Sequence, residues 1–207
     1  MEYQIAEFFV LSFLVGLTGC LTPGPTLIVT IELSLFRGWQ AGPLVTVGHI
    51  LTEGIIAIAI TFGFSYFFSG YTAYVSYIGG VALILFGILT LKSSTKGMPQ
   101  NTENIRNSRP IYAGFVTAVS NPFFWFWWMT IGAGFLLDGL ASGIIFGITF
   151  MTGHWLADIE WFTFVSVGIG KGKNIISERI YMMVLVGCGL FLILFGLFFL
   201  ITGNQIR

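Results

Sequence analysis

Residues 180–201 read IYMMVLVGCGLFLILFGLFFLI, an unbroken apolar run without one charged side chain. A helix needs about 20 such residues to cross the hydrocarbon core of a bilayer. A transmembrane β-strand needs about 10, with apolar and polar positions alternating. This run does not alternate, so a membrane-crossing helix is expected. Five more runs of the same character lie upstream, at 5–33, 41–68, 74–91, 111–137 and 142–168. Composition agrees. The chain is 56% hydrophobic and only 9% charged, where soluble domains carry about 25% charged residues. The expected fold is an all-α membrane protein with six transmembrane helices.

Charge placement tests that count. With six crossings, the linkers after the first, third and fifth runs share one side of the membrane. Those linkers and their flanks hold Arg37, Lys92, Lys96, Arg106, Arg109, Lys171, Lys173 and Arg179, leaving only Arg207 for the other side. Basic residues mark the cytoplasmic face, so both termini are expected outside and the chain in a prokaryotic plasma membrane. The first run is too long, and its flank Met1-Glu2-Tyr3-Gln4 too acidic, for a signal peptide, so a retained helix is expected. A formal net charge of zero suggests no nucleic-acid partner. The expected partners are the lipid bilayer and a small-molecule substrate, with a second copy of the chain as a further candidate. No cofactor is expected.

The final run also repeats an earlier one. Leu192-Ile193-Leu194-Phe195-Gly196 duplicates Leu83-Ile84-Leu85-Phe86-Gly87, and Gly187 and Gly189 echo Gly79-Gly80. In the same order, Gly153-His154-x-x-x-Asp158 answers Gly48-His49-x-x-x-Glu53, and Asn121-Pro122 answers Thr22-Pro23. The expected organisation is a first three-helix repeat at 1–92, a polar cytoplasmic loop at 93–110 and a second repeat at 111–207. Three is odd, so the second repeat enters from the opposite side. Inverted repeats of this kind build many secondary transporters, with the site at the repeat interface near mid-membrane.

Candidate site residues follow from chemistry that lipid does not tolerate. Pro23 and Pro25 cannot donate to the carbonyls of Gly19 and Leu21, nor Pro122 to that of Ala118. A break in lipid must face protein or a watery cavity. Thr22, Pro23, Gly24, Pro25, Thr26, Asn121 and Pro122 are therefore the candidate substrate-binding residues, with half-helix N-termini offering a seat for a carboxylate. A proline kink that only improves packing would leave the same mark in the sequence. Glu53 and Asp158 lie deep in apolar runs, where a charge costs roughly 2.5–3.5 kcal/mol. Each follows a histidine by four residues, on one helix face. Glu53, Asp158, His49 and His154 are the candidate proton-coupling residues. Glu160 points the other way, Glu32 lies near Arg37, and Trp125-Phe126-Trp127-Trp128 follows the second break.

The segment Gly16-Leu17-Thr18-Gly19-Cys20-Leu21-Thr22-Pro23-Gly24-Pro25-Thr26, then Arg37-Gly38-Trp39-x-Ala41-Gly42, then Asn121-Pro122, resembles the LysE family of amino-acid exporters over essentially the whole chain. The strings Asn121-Pro122-x-x-Trp125-x-Trp127-Trp128 and Gly153-His154-x-x-x-Asp158-x-x-Trp161 look like a less-studied branch. The resemblance implies a six-helix exporter of amino acids or related small zwitterions, driven by a proton or cation gradient. The histidine–acid pairs are not the hallmark of the lysine exporters.

Two other functions fit parts of the sequence. Two histidine–carboxylate pairs could ligate a divalent metal, which makes a divalent-cation exporter the alternative. A membrane redox enzyme would need paired thiols, but Cys20 and Cys188 form no CxxC motif and suit packing. The chain is expected to be a transporter and not an enzyme, with no resident metal.

Overall fold

The computed structural model describes residues 4–63, 72–97, 109–172 and 177–202. All regular structure among them is helical. In chain order come α1 (Ile5–Cys20), α2 (Pro25–Arg37), a short 3₁₀ turn (Gly38–Gln40) and α3 (Ala41–Thr61). Then come α4 (Thr72–Ser94), α5 (Pro110–Val119), α6 (Pro122–Trp127), a π-helical turn (Trp128–Gly132), α7 (Ala133–Ser142), α8 (Ile144–Gly172) and α9 (Glu178–Thr202). Of the expected loop, 98–108 lie outside the described residues, as do 64–68 of the second expected run and Arg106, Lys173 and Arg207.

Helices long and apolar enough to cross a membrane cover Pro25–Thr61, Tyr77–Ser94, Pro122–Ser142 and Glu178–Thr202, beside shorter apolar helices at Ile5–Cys20 and Pro110–Val119. The count is four where six runs are expected, for two physical reasons. The first run is divided at its prolines, which leaves Ile5–Cys20 short and joins Pro25–Arg37 to α3 in one span, whereas the fourth, divided at Pro122, still counts through Pro122–Ser142. The fifth is long enough as α8, but His154, Asp158 and Glu160 dilute its hydropathy.

The divisions are local consequences of sequence. Gly24 is fully extended (φ −155°, ψ −177°) and Pro25 opens α2 at its first position, where proline's missing N–H costs nothing. Two of the three carbonyls expected to be freed do not stay bare. Gly19 O accepts from Thr22 N (3.3 Å) and Ala118 O from Asn121 N (3.1 Å), as the last turns tighten towards 3₁₀ geometry. Within the helices, Thr30, Ser34, Thr46 and Thr52 donate to the carbonyl four residues back. Hydroxyls in a dry interior satisfy themselves in this way.

The halves pack crosswise: α1 against α8, α3 against α5, and α4 against α9. Glycine permits the last contact. A Cβ on Gly80 would lie 2.8 Å from Gly196 O, and one on Gly196 2.6 Å from Gly80 O. Gly87 and Gly189 stand in the same reciprocal relation, at 2.7 and 2.9 Å. Residue 80 meets 196 and residue 87 meets 189, so the two helices run antiparallel. Gly187 is not part of this contact, since nothing lies within 4 Å of a Cβ there, and a Cβ at Gly79 would meet only the Phe199 ring, at 3.9 Å. The outer surface is apolar, with Ile78, Phe164 and Leu194 each more than 60% exposed. In water, patches of that kind mark a docking or membrane surface.

At Gly48 the backbone of α5 comes closer still, with Ile111 O and Phe115 N against the position a Cβ would take. Gly48→Ala is expected to destabilise the fold by about 1–3 kcal/mol through overpacking. Gly54→Ala, one and a half turns on with open space around it, is expected to hold or raise stability, since alanine is the better helix former. Thermal midpoints of the two variants in detergent check the contrast.

Candidate functional site

Spacing along α3 and α8 places two polar pairs on facing helices. His49 and Glu53 lie one turn apart on α3, His154 and Asp158 one turn apart on α8, and all four are buried. Crosswise packing brings them together. His154 Nε2 is 2.8 Å from Glu53 Oε1, His49 Nε2 is 3.4 Å from the same oxygen, and Trp128 Nε1 donates to it at 3.3 Å. Asp158 Oδ2 lies 3.5 Å from His154 Nε2, at the edge of ion-pair range and beyond a good hydrogen bond. A buried carboxylate is tolerated where donors surround it. Glu53 Oε1 meets that condition through groups from both halves of the chain.

The tryptophans take their places because of the π-helical turn. It sets Trp127 and Trp128 side by side, and Gly132 leaves room for both: a Cβ there would lie 2.8 Å from each ring. Trp127 stacks on His154 with centroids 4.8 Å apart and donates to Thr18 Oγ1 at 3.0 Å. Phe150 stacks on the same imidazole, while Phe124 and Phe162 turn edge-on to His49.

These groups enclose one cavity with the helix breaks. Thr22, Gly24, Thr26 and Asn121 line it together with His49, Glu53, His154 and Asp158. Pro23, Pro25 and Pro122 are not among its lining residues; they set the backbone behind it. The space open to water centres is about 30 Å³, room for on the order of two waters. The two half-helix ends differ. α6 has six residues, and Asn121 Oδ1 already caps it by accepting from Phe123 N (3.1 Å). α2 has no such side-chain cap, and Thr26 Oγ1, buried against the cavity, has no partner in the protein.

Several atoms of the cluster also have no hydrogen-bond partner in the protein: Glu53 Oε2, Asp158 Oδ2, His49 Nδ1 and His154 Nδ1. One ligand atom each from His49, Glu53 and Asp158 lie within 4.8 Å of one another. An imidazole with two carboxylates is a donor set that zinc and similar divalent ions accept.

Some of the site is absent from the sequence-based candidates. Phe162 follows Asp158 by four residues, on the stripe that carries His154, and that spacing was the available signal. The aromatic cluster Trp125–Trp128 stood out after the second break, but nothing local marked Trp128 as the donor to Glu53 or the π-helical turn behind it. Cys20, read as a packing residue, lines the cavity, with Sγ 3.8 Å from Ala157 O. Cys188 does not line it, and both thiols are free. Glu160 is exposed on the outer face of α8, and Glu32 accepts a hydrogen bond from Tyr181 (3.0 Å).

The family model described as LysE type translocator matches residues 17–203. No curated protein and no solved structure matches the chain.

If Glu53 and His154 stabilise each other across the halves, their substitutions are not additive. A cycle of Glu53→Gln, His154→Gln and the double variant is expected to give a coupling of about 0.5–3 kcal/mol, read from thermal or denaturant unfolding in detergent. Additive effects would mean that the 2.8 Å contact contributes no pairwise energy.

Proposed function

The chain belongs to the LysE type translocator family, and on that premise we propose that it is a secondary transporter exporting amino acids or related small zwitterions against a proton gradient. One observation carries the reading. Acids and histidines from both halves converge on one cavity at the point where the first and fourth runs are broken.

The cargo carboxylate sits at the N-terminus of α2, where Thr26 N and Leu27 N have no acceptor further back in the helix and the Thr26 hydroxyl adds a donor. Asn121 Nδ2 reaches the same place because Gly24 has no side chain to block it. The cargo amine faces Asp158 or Glu53, and the acid it leaves free takes the driving proton, with the histidines as relay. A cavity that admits about two waters is a closed form, so cargo enters and leaves as the halves rock alternately. The antiparallel α4–α9 contact and the exchange of partners between the halves support six crossings arranged as two inverted repeats. The positive linkers support a cytoplasmic face at the α2–α3 turn and at the α8–α9 linker.

A second reading, export of a divalent cation, is favoured by the close approach of ligand atoms on His49, Glu53 and Asp158.

Proteoliposomes carrying a pH-sensitive dye test both. An imposed amino-acid gradient is expected to move protons through the wild type, and Glu53→Gln and Asp158→Asn to reduce that flux to the level of empty vesicles while remaining folded. Undiminished flux in both variants would remove these residues from the coupling role. Proton movement driven only by a zinc or manganese gradient, lost in His49→Ala, would replace the zwitterion with a metal as cargo.

A further inference from the structure

We infer that the cavity selects amino acids bearing a single amino group and an apolar side chain, and rejects those whose side chain ends in a second cation; the inference rests on the export reading above. The charges that line the cavity decide the matter. Among the described residues lining the cavity, Glu53 and Asp158 are the only carboxylates. Glu53 Oε1 is engaged by His154 and Trp128. The oxygens free to meet an ammonium are Glu53 Oε2 and Asp158 Oδ2. One carboxylate must hold the cargo's α-amine, and export against a proton gradient requires the other to exchange the driving proton. None remains for a lysine or arginine head group.

No other acid stands in. Glu32 lies outside the cavity and holds the Tyr181 hydroxyl at 3.0 Å. Glu160 is on the outer face of α8. The remaining wall is apolar: Leu27, Phe123, Phe124 and Phe162. Aromatic faces can take a cation in place of a carboxylate, tryptophan best, but Trp127 already presents a face to His154 at 4.8 Å. Phe124 and Phe162 turn edge-on to His49 and offer only the weaker phenyl faces. An ammonium brought into such a wall would lose its water without a counter-ion, whereas a methyl group is at home there. The carboxylate end does not discriminate, because the α2 N-terminus and the unpartnered Thr26 hydroxyl serve any amino acid.

L-Norleucine and L-lysine form a matched pair, equal in chain length and differing only in the terminal ammonium. Thermal unfolding of the purified full-length protein in detergent at pH 7 compares them, with L-leucine and L-arginine alongside. A ligand bound to the folded state raises the midpoint with concentration. Norleucine and leucine are expected to raise it, while lysine and arginine produce no shift even at about tenfold higher concentration. A lysine shift equal to that of norleucine would overturn the selectivity and leave the export reading standing. No shift with any of the four amino acids would overturn the export reading, and the selectivity with it.

Discussion

Glu53 is held from both sides of the molecule. Its Oε1 takes His154 from α8 and Trp128 from the turn after α6, and His49 from its own helix stands a little further off. A carboxylate this deep in apolar surroundings has no water to fall back on, so its partners must be protein. That requirement explains much of the surroundings: the glycines that let α3 and α8 receive their neighbours, the π-helical turn that swings two indoles inward, and the phenylalanines that seal the imidazoles. It also bears on movement. Any motion that separates the halves pulls Glu53 away from His154, and losing one partner of a buried pair costs about 3–5 kcal/mol. Separating the two therefore leaves Glu53 to be satisfied by some other group.

The helix breaks answer the same constraint. Backbone interruption in lipid is permitted only where other groups take up the freed carbonyls. Here Thr22 N and Asn121 N do so for Gly19 and Ala118, and Trp125 Nε1 does so for Val119 at 2.7 Å. The two breaks are alike in sequence position and unlike in use. Asn121 caps its own short helix, which leaves α2 with the uncommitted N-terminus. A repeat in sequence has thus become an asymmetric cavity, with an uncapped helix N-terminus on one side and acids on the other.

How much of this was legible depended on the range of the interaction. The helical character, the breaks at Pro23, Pro25 and Pro122, and the pairing of His49 with Glu53 and His154 with Asp158 follow from composition and from spacing along one helix. That both pairs share one cavity was suggested by the repeat and required the fold. Where the reading stopped, the cause was long-range. Nothing local says that Trp128 will donate to Glu53, seventy-five residues away, or that the carbonyls freed by proline will be recaptured by the preceding turn. The glycines illustrate the limit: six looked equivalent in sequence, but only Gly80, Gly87, Gly189 and Gly196 carry the α4–α9 contact.

That contact lies apart from the chemistry, since among the described residues none of α4 or α9 lines the cavity. The chain's two cysteines fall one on each side of this division. Cys20 is in the cavity wall, and Cys188 sits between Gly187 and Gly189 in the α4–α9 seam. Both are free and buried. The protein thus carries two native thiols, one in the cavity wall and one in the helix pair apart from it. Under the alternating access proposed above, the rate at which a permeant alkylating reagent reaches the first, relative to the second, times the exposure of the cavity, with its own internal standard.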